Sequence, residues 1–383
     1  MSSEYARSGV NYVLIEPFKE AMINTGKRTL SFPNRRGVFI NEDVLHAHGA
    51  VYKYRGRGKN FFSRFVSRVS GHLLCQTQEG LGNKNWIAEW MYQFAKNGKT
   101  YYDGIGIDAA MLIVNDVIAQ GAMPVVYTDE VAAGDSEWFN DKKRTADLAE
   151  SYYRICELTG MAMPAGESPA LRYLVKAELP VKSAPTMSGC VTGIIAPASN
   201  LITGRELQAG DSIIGVTSSG LHANGVSLVI KRALALPDQF LTRLPNCKTL
   251  GDEALIPTRS YVALVESLLN RGIHPHALLP GTGDGVGKIA FDKRPFSYRI
   301  HSWPRVPIIF QFMRELGVSL EDCLKTFNWG VGYYLFVAPE DVDAVIRIGD
   351  LTGYELLEVG VVEEGDRKVI FEPEDIVLPP PGQ

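Results

Sequence analysis

Residues 106–122, GIDAAMLIVNDVIAQGA, constrain the fold more than any other segment. Ala109, Ala110, Met111, Leu112, Ile113, Val114, Val117 and Ile118 form an apolar run with no proline, which predicts a helix over 108–120. A helix that is apolar nearly all round has to be buried, so it demands packed layers on more than one side. Asp108, Asn115 and Asp116 sit inside that run. Buried carboxylates are costly unless they are paired, hydrogen-bonded or metal-bound. Asp108 and Asn115 are two turns apart, so they point the same way at a spacing of roughly 10 Å along the axis. That spacing suits a ligand lying along the helix, or two ions under a polyphosphate, rather than one ion held by both. The alternative is local: Asp108 as an N-cap, with Asn115 and Asp116 bonded to neighbouring backbone.

A chain of 383 residues exceeds one ordinary core, and two domains are expected. The turn-rich stretch 197–210, PASNLITGRELQAG, is the natural boundary, giving domains over 1–199 and 200–383. The net charge of -4 implies no general surface for polyanions. The basic stretch 53–68, KYRGRGKNFFSRFVSR, reads as a strand-loop-helix surface or a phosphate contact for a small ligand, not as a nucleic-acid interface. The first ten residues carry no apolar signal-peptide core, and no apolar run approaches the ~20 residues that cross a bilayer. A cytoplasmic protein with no membrane partner is expected. Cys75, Cys156, Cys190, Cys247 and Cys323 are scattered without a C-x-x-C spacing, which predicts free thiols.

Strand-like runs occur at 37–40, 71–77, 125–129, 187–196, 211–217, 333–337 and 355–362. Helical runs occur at 14–25, 86–96, 108–120, 142–159, 224–236 and 258–271. The alternation predicts an α/β or α+β fold. The tail 378–383, LPPPGQ, is expected to be disordered.

Several short motifs carry chemistry. TQEGLGNK at 77–84 reads as a loop between a strand and a helix. Its Gly80, Gly82 and Lys84 are able to wrap phosphate, and Glu79 to hold a divalent cation; a plain turn is the competing reading. GTGDGVGK at 281–288 lacks the Walker A spacing and reads as a loop that lets backbone approach a ligand. Glu167 and Ser168 follow a helix; the carboxylate is either a metal ligand or base, or a surface glutamate. SSGLHANG at 218–225 ends a strand and opens a helix, with His222 and Asn224 in the turn; anion binding and simple capping both fit. TFNWGVG at 326–332 places Asn328 before an apolar strand.

Taken in order, these segments resemble the aminoimidazole ribonucleotide (AIR) synthetase family, the phosphoribosylformylglycinamidine cyclo-ligases of purine biosynthesis. YARSGVN at 5–11 resembles the family's opening Y-x-x-[AS]-G-V-[DN]. TQEGLGNK resembles T-D-G-V-G-T-K. GIDAAMLIVNDVIAQGAMPVVYTDEVAAG resembles G-I-D-x-V-A-M-x-V-N-D followed by L-D-Y-x-A-x-G. AGES resembles G-G-E-T, SSGLHANGVSLV resembles S-S-G-x-H-[ST]-N-G-[YF]-S-L, IPTRSYV resembles A-P-T-R-I-Y-V, and TFNWGVGYYLFV resembles T-F-N-[CM]-G-[VI]-G-M.

The resemblance implies two α+β domains, the first pairing with its copy in a homodimer and the second an α/β domain. It implies an enzyme that uses ATP and Mg2+ to activate the formyl oxygen of a small-molecule ribonucleotide, formylglycinamidine ribonucleotide, so that an amidine nitrogen closes the imidazole ring. Carried over by position, Lys84, Asp108 and His222 are the catalytic candidates. Glu79, Gly80, Gly82, Lys84, Asn115, Asp116, Asp129, Glu167, Ser168 and Asn224 are the nucleotide-binding candidates. Glu79, Asp108, Asp116 and Glu167 are the metal candidates. The chain departs from the family before Gly71, where HAHGAVYKYRGRG at 46–58 stands in place of the family's glycine-rich loop, and Lys53, Arg55 and Arg57 are the basic residues available there. The alternatives are another ATP-dependent member of the same superfamily with a different amide or phosphate acceptor, and a nucleotide-binding paralogue without activity. A selenophosphate synthetase lacks support because the early Gly-Cys-Lys element is missing, and a hydrogenase-maturation type because the tail has no terminal cysteine.

Overall fold

The 106–122 run is buried, as its composition requires, with Gly106 against Ser151 and Val117 against Gly193. The computed structural model describes residues 12–40, 52–58 and 60–381. The YARSGVN motif and residues 46–51 of the 46–58 stretch lie outside the described residues. The chain divides into two units, residues 1–117 with 122–199, and residues 118–121 with 200–383.

In the first unit the strands are β1 (Val38–Ile40), β2 (Tyr52–Tyr54), β3 (Leu73–Gly80), β4 (Met123–Ala132), β5 (Ala162–Glu167) and β6 (Thr186–Ile195). The helices are α1 (Tyr12–Thr29), α2 (Phe61–Val69), α3 (Lys84–Phe94), α4 (Tyr102–Ile118) and α5 (Lys142–Thr159). β1 and β2 pair antiparallel, and the main sheet has the order β3-β6-β4-β5, antiparallel except for the parallel pair β4–β5.

Helix α4 starts at Tyr102, six residues before the predicted start. Asp108 is therefore interior to the helix, which removes the N-cap alternative for it. Met111, Ile113, Val117 and Ile118 are fully buried, and each such burial is worth roughly 1.5–3 kcal/mol. Gly106 permits the closest approach to α5, since a Cβ there would collide with Ser151 Oγ. Helix α5 starts at the Asp141 cap, whose carboxylate accepts from Arg144 N at 2.9 Å, and stops at Gly160 in the left-handed region. Helices α3 and α4 are locked by buried Glu89. Its Oε1 accepts from Tyr102 Oη at 2.8 Å and Trp138 Nε1 at 2.7 Å, and its Oε2 from Arg144 Nη2 at 3.1 Å. Burial raises the Glu89 pKa and the Arg144 charge opposes that rise.

The second unit holds β7 (Ser212–Thr217), β8 (Ala277–Pro280), β9 (Phe296–Ile300), β10 (Val331–Val337), β11 (Leu356–Glu364), β12 (Lys368–Phe371) and β13 (Ile376–Leu378). Its helices are α6 (Val226–Leu234), α7 (Leu250–Ala254), α8 (Val262–Asn270), α9 (Ile308–Glu315), α10 (Leu320–Thr326) and α11 (Val342–Thr352). One sheet runs β13-β12-β9-β11-β7-β10-β8. Every residue of β10 is buried, as expected for VGYYLFV between two neighbours.

Two local expectations are corrected. The first half of the loop expected over 77–84 is strand: β3 runs to Gly80, residues 81–83 turn, and α3 begins at Lys84. The tail is ordered through its first residues, because Leu378 pairs with Val369 and both Leu378 and Pro380 are buried.

Candidate active site

The sheet of the first unit sets the spacing of its acidic groups. Glu79 pairs with Gly189, Gly189 with Asp129, and Asp129 with Gly166. Residues in register across strands share a face, so Glu79 and Asp129 project together with two glycines beside the aspartate. Two strand spacings put them roughly 10 Å apart. In the next row Glu130 pairs with Glu167, which at the end of β5 reaches the same cleft as Asp129. Asp129 is 7% exposed, and burial raises its carboxyl to about 7. A Cβ on Gly166 would collide with Asp129 Oδ1, so the glycine is what makes room for the carboxyl.

Lys84 opens α3 two residues after Gly82, whose φ of 72° lets the chain turn sharply. Its Nζ donates to Asp108 Oδ1 at 2.8 Å, and both side chains are closed to solvent. Burial lowers the Lys84 pKa while the Asp108 charge works against that fall. Further along α4, Asn115 is buried and Asp116 half-buried. Glu79 and Gly80 are exposed at the end of β3. Glu167 is exposed and accepts from Ser168 N at 2.7 Å.

Asp129, Gly166, Glu167 and Ser168 line a cleft of about 350 Å³ against α1. The structure thus brings Lys84 to Asp108, and Asp129 to the Glu167–Ser168 segment. Among the described residues, no three Asp, Glu, His or Cys side chains stand together as a metal cage. The donors present are hard carboxylate oxygens, which fit Mg2+, an ion that is usually held by one or two carboxylates plus substrate phosphates.

In the second unit, β7 ends in the turn Ser218–Ser219–Gly220 and leads to α6. His222 has φ 57° and is 3% exposed. Its Nε2 accepts from Ser219 N at 3.3 Å, which leaves the hydrogen of the neutral ring on Nδ1. Asn328 staples a second loop to this turn. Its Oδ1 accepts from Ser218 Oγ at 3.1 Å and Gly330 N at 2.9 Å, while its Nδ2 donates to the Gly220 carbonyl at 2.8 Å. Gly332 follows; a Cβ there would strike Tyr261 Oη and His222 Cε1. Tyr261 donates to the Thr217 carbonyl at 3.2 Å, and Arg259 Nη1 to Thr217 Oγ1 at 3.2 Å. Asn224 Nδ2 is buried with no hydrogen-bond partner among the described residues. His222, Asn328, Arg259 and Tyr261 therefore converge on the end of β7.

Sequence reasoning did not select Arg259 or Tyr261, although both lie in the IPTRSYV segment; their signal was a polar pair beside an apolar helix. It also passed over α1, whose Lys19 and Lys27 line the first unit's cleft.

Residues 65–195 match the model of the AIR synthase related protein N-terminal domain, and residues 208–372 that of its C-terminal domain. A phosphoribosylformylglycinamidine cyclo-ligase of Limosilactobacillus reuteri is 34% identical over 373 residues, covering 92% of this chain and 95% of that protein. The protein of the same name from Lactobacillus acidophilus is 34% identical over 313 residues, covering 78% and 84%. Among solved structures, hydrogenase maturation protein HypE in complex with ATP superposes with a TM-score of 0.58 at 15% identity, covering 92% of each chain; at that identity the likeness concerns the fold.

Proposed function

The chain belongs to the AIR synthase related family, and from that premise we propose that it closes the imidazole ring of formylglycinamidine ribonucleotide in purine biosynthesis, as an ATP-dependent ligase. The products are aminoimidazole ribonucleotide, ADP and phosphate. The similarity to cyclo-ligases over 92% of the chain carries this reading. In the reaction, the formyl oxygen takes the γ-phosphoryl group, the amidine nitrogen attacks the formyl carbon, and the C–O bond breaks with release of phosphate. Mg2+, when bound with the nucleotide, would neutralise phosphate charge. Glu79, Asp116 and Glu167 are the carboxylates that would hold it; Asp108, the fourth metal candidate, is closed to solvent and ion-paired with Lys84.

The residues of the first unit have three proposed tasks. Asp129, Asn115, Asp116, Glu167 and Ser168 position the nucleotide. Gly80 and Gly82 keep side chains away from phosphate at the β3–α3 turn. Lys84 and Asp108 act as one unit, because their charges neutralise each other inside the protein. In the second unit, His222 holds the Ser218–Gly220 turn through Nε2, and His222 and Asn224 act at the substrate.

A homodimer is supported by apolar surface that one copy leaves uncovered: Phe61 and Phe62 of α2 are 85% and 74% exposed, and Leu74 of β3 is 61% exposed. No described helix is long and apolar enough to cross a membrane, and we place the protein in the cytoplasm with the purine pathway. The test is phosphate release from Mg-ATP with and without formylglycinamidine ribonucleotide. Substrate-stimulated release with an imidazole product is the expected result. ATP binding without stimulation would point to a different acceptor.

A further inference from the structure

The turn before β10 holds a bulky side chain in backbone geometry that suits glycine. Trp329 has φ 54°, in the left-handed region, and is buried. A large aromatic residue in that region is an outlier, and it persists only where its surroundings over-determine it. Its neighbours Asn328 and Gly330 both bond to the turn that ends β7. Asn328 Nδ2 donates to the Gly220 carbonyl, and the Gly330 carbonyl accepts from Ser218 N at 2.8 Å.

Residues 303–307 supply what fixes Trp329. Trp303 Nε1 donates to the Trp329 carbonyl at 3.0 Å. A Cβ on Gly330 would collide with Pro307 Cδ, so the same segment abuts the turn at a second point. Residues 301–307 form neither helix nor strand. They are tied at one end, where His301 N and Ser302 N donate to the Val359 carbonyl of β11 at 3.0 and 3.2 Å. At the other end they run into α9, whose Phe310 stacks on Trp329 with ring centroids 5.9 Å apart. Trp303 itself packs edge-on against Phe371 of β12, with centroids 4.9 Å apart.

The Trp329 carbonyl and the Gly330 N–H belong to one planar peptide unit. Trp303 holds its oxygen, and Asn328 Oδ1 takes its N–H at 2.9 Å. The angle of that plane therefore sets where the Asn328 amide points. The amide in turn holds Ser218 Oγ and the Gly220 carbonyl, and the next amide of the turn, Ser219 N, donates to His222 Nε2. We propose that Trp303 is a positioning residue for the site of the second unit: it fixes the Trp329–Gly330 peptide plane, and through Asn328 it orients the turn that His222 serves. Its effect on turnover rests on the ring closure proposed above; the relay of hydrogen bonds stands without it.

Two substitutions in the full-length protein separate the N–H from the bulk of the ring. Trp303→Phe keeps an aromatic ring against Phe371 and removes the donor. Trp303→His loses more apolar surface, but its five-membered ring carries an N–H where the indole has Nε1. Substrate-stimulated phosphate release is measured with ATP and formylglycinamidine ribonucleotide varied in turn. Hydrogen–deuterium exchange of the peptide spanning 216–221 is followed in parallel.

Trp303→Phe should lower kcat by about tenfold, the cost of one lost buried hydrogen bond, and leave the KM for ATP within about twofold. Its turn should exchange faster than that of wild type. Trp303→His should be the less heat-stable variant and yet the more active, an order that packing alone does not produce. A Trp303→Phe kcat within about twofold of wild type, a parallel loss of ATP affinity, or a Trp303→His less active than Trp303→Phe would each overturn the proposal. A wild type with no substrate-stimulated release would overturn the ligase reading instead. Exchange then decides the relay: a turn equally protected in Trp303→Phe and wild type would refute it, and faster exchange in Trp303→Phe than in Trp303→His would uphold it.

Discussion

Replacing Asp108 by asparagine should damage stability as well as activity, because of where Lys84 sits. The two charges are 2.8 Å apart and neither side chain reaches solvent. At an effective dielectric of about 20, unit charges at that distance attract by about 6 kcal/mol. Removing either ion from water costs several kcal/mol, so the pair as a whole contributes little net stability. Losing one partner is different, since the other charge stays buried alone; that costs about 3–5 kcal/mol. Asp108→Asn and Lys84→Met should each lower stability by this amount. Lys84→Met with Asp108→Leu removes both charges and should return to within about 1 kcal/mol of wild type, far from the sum of the single losses. Urea unfolding followed by tryptophan fluorescence reads this directly, because Trp86 and Trp90 lie on α3 with Lys84. Phosphate release measured in parallel separates the roles: the stable double variant should remain inactive. A single variant within about 1 kcal/mol of wild type, or a double variant as unstable as the two losses added, would refute the ion-pair argument. A stable double variant that still turns over would remove both residues from catalysis.

Asp129 gives a pH signature. Its carboxyl lies at about 7 in the folded protein against 3.8 ordinarily, so folding takes up a proton between these values. Stability should fall as pH rises from about 4 to 7 and stay reduced above 7, by roughly 4 kcal/mol at most. Asp129→Asn should therefore raise stability at pH 8, leave it unchanged at pH 4, and weaken nucleotide binding; an equal effect at both pH values in denaturant titrations would contradict this. Asn328→Ala removes the hydrogen bonds to Ser218 Oγ and the Gly220 carbonyl that join the two loops of the second unit, and leaves the Gly330 N–H buried without its acceptor. We expect a loss of about 2–3 kcal/mol in that unit, and a fall in kcat larger than any change in ATP affinity, checked by unfolding and steady-state kinetics.

The first strand and helix positions were legible because periodicity and composition act locally. Helix α5 begins and ends where its Asp141 and Gly160 caps say it must. Helix α4 is longer than its apolar run because Tyr102 is drawn in by a hydrogen bond to Glu89, a partner outside the segment. The TQEG segment was misread as loop because its polar residues lie on β3, a strand with little cover in one copy of the chain, where alternation carries no apolar signal. Arg259 and Tyr261 were passed over because their relation to Thr217 spans more than forty residues and leaves no mark on spacing.

The sequence by itself determined that 106–122 is a buried helix, that its polar residues need partners, and through ordered motifs, which family the chain resembles. Those are properties of side-chain chemistry and order along the chain. Only the tertiary structure decided which partner each polar group has. It paired Asp108 with Lys84, set Asp129 against Gly166, joined Asn328 to Ser218, and opened a cleft between α1 and the edge of its sheet. The physical reason is range: hydrogen bonds and ion pairs form over about 3 Å, and only the packing of distant elements brings such atoms within reach.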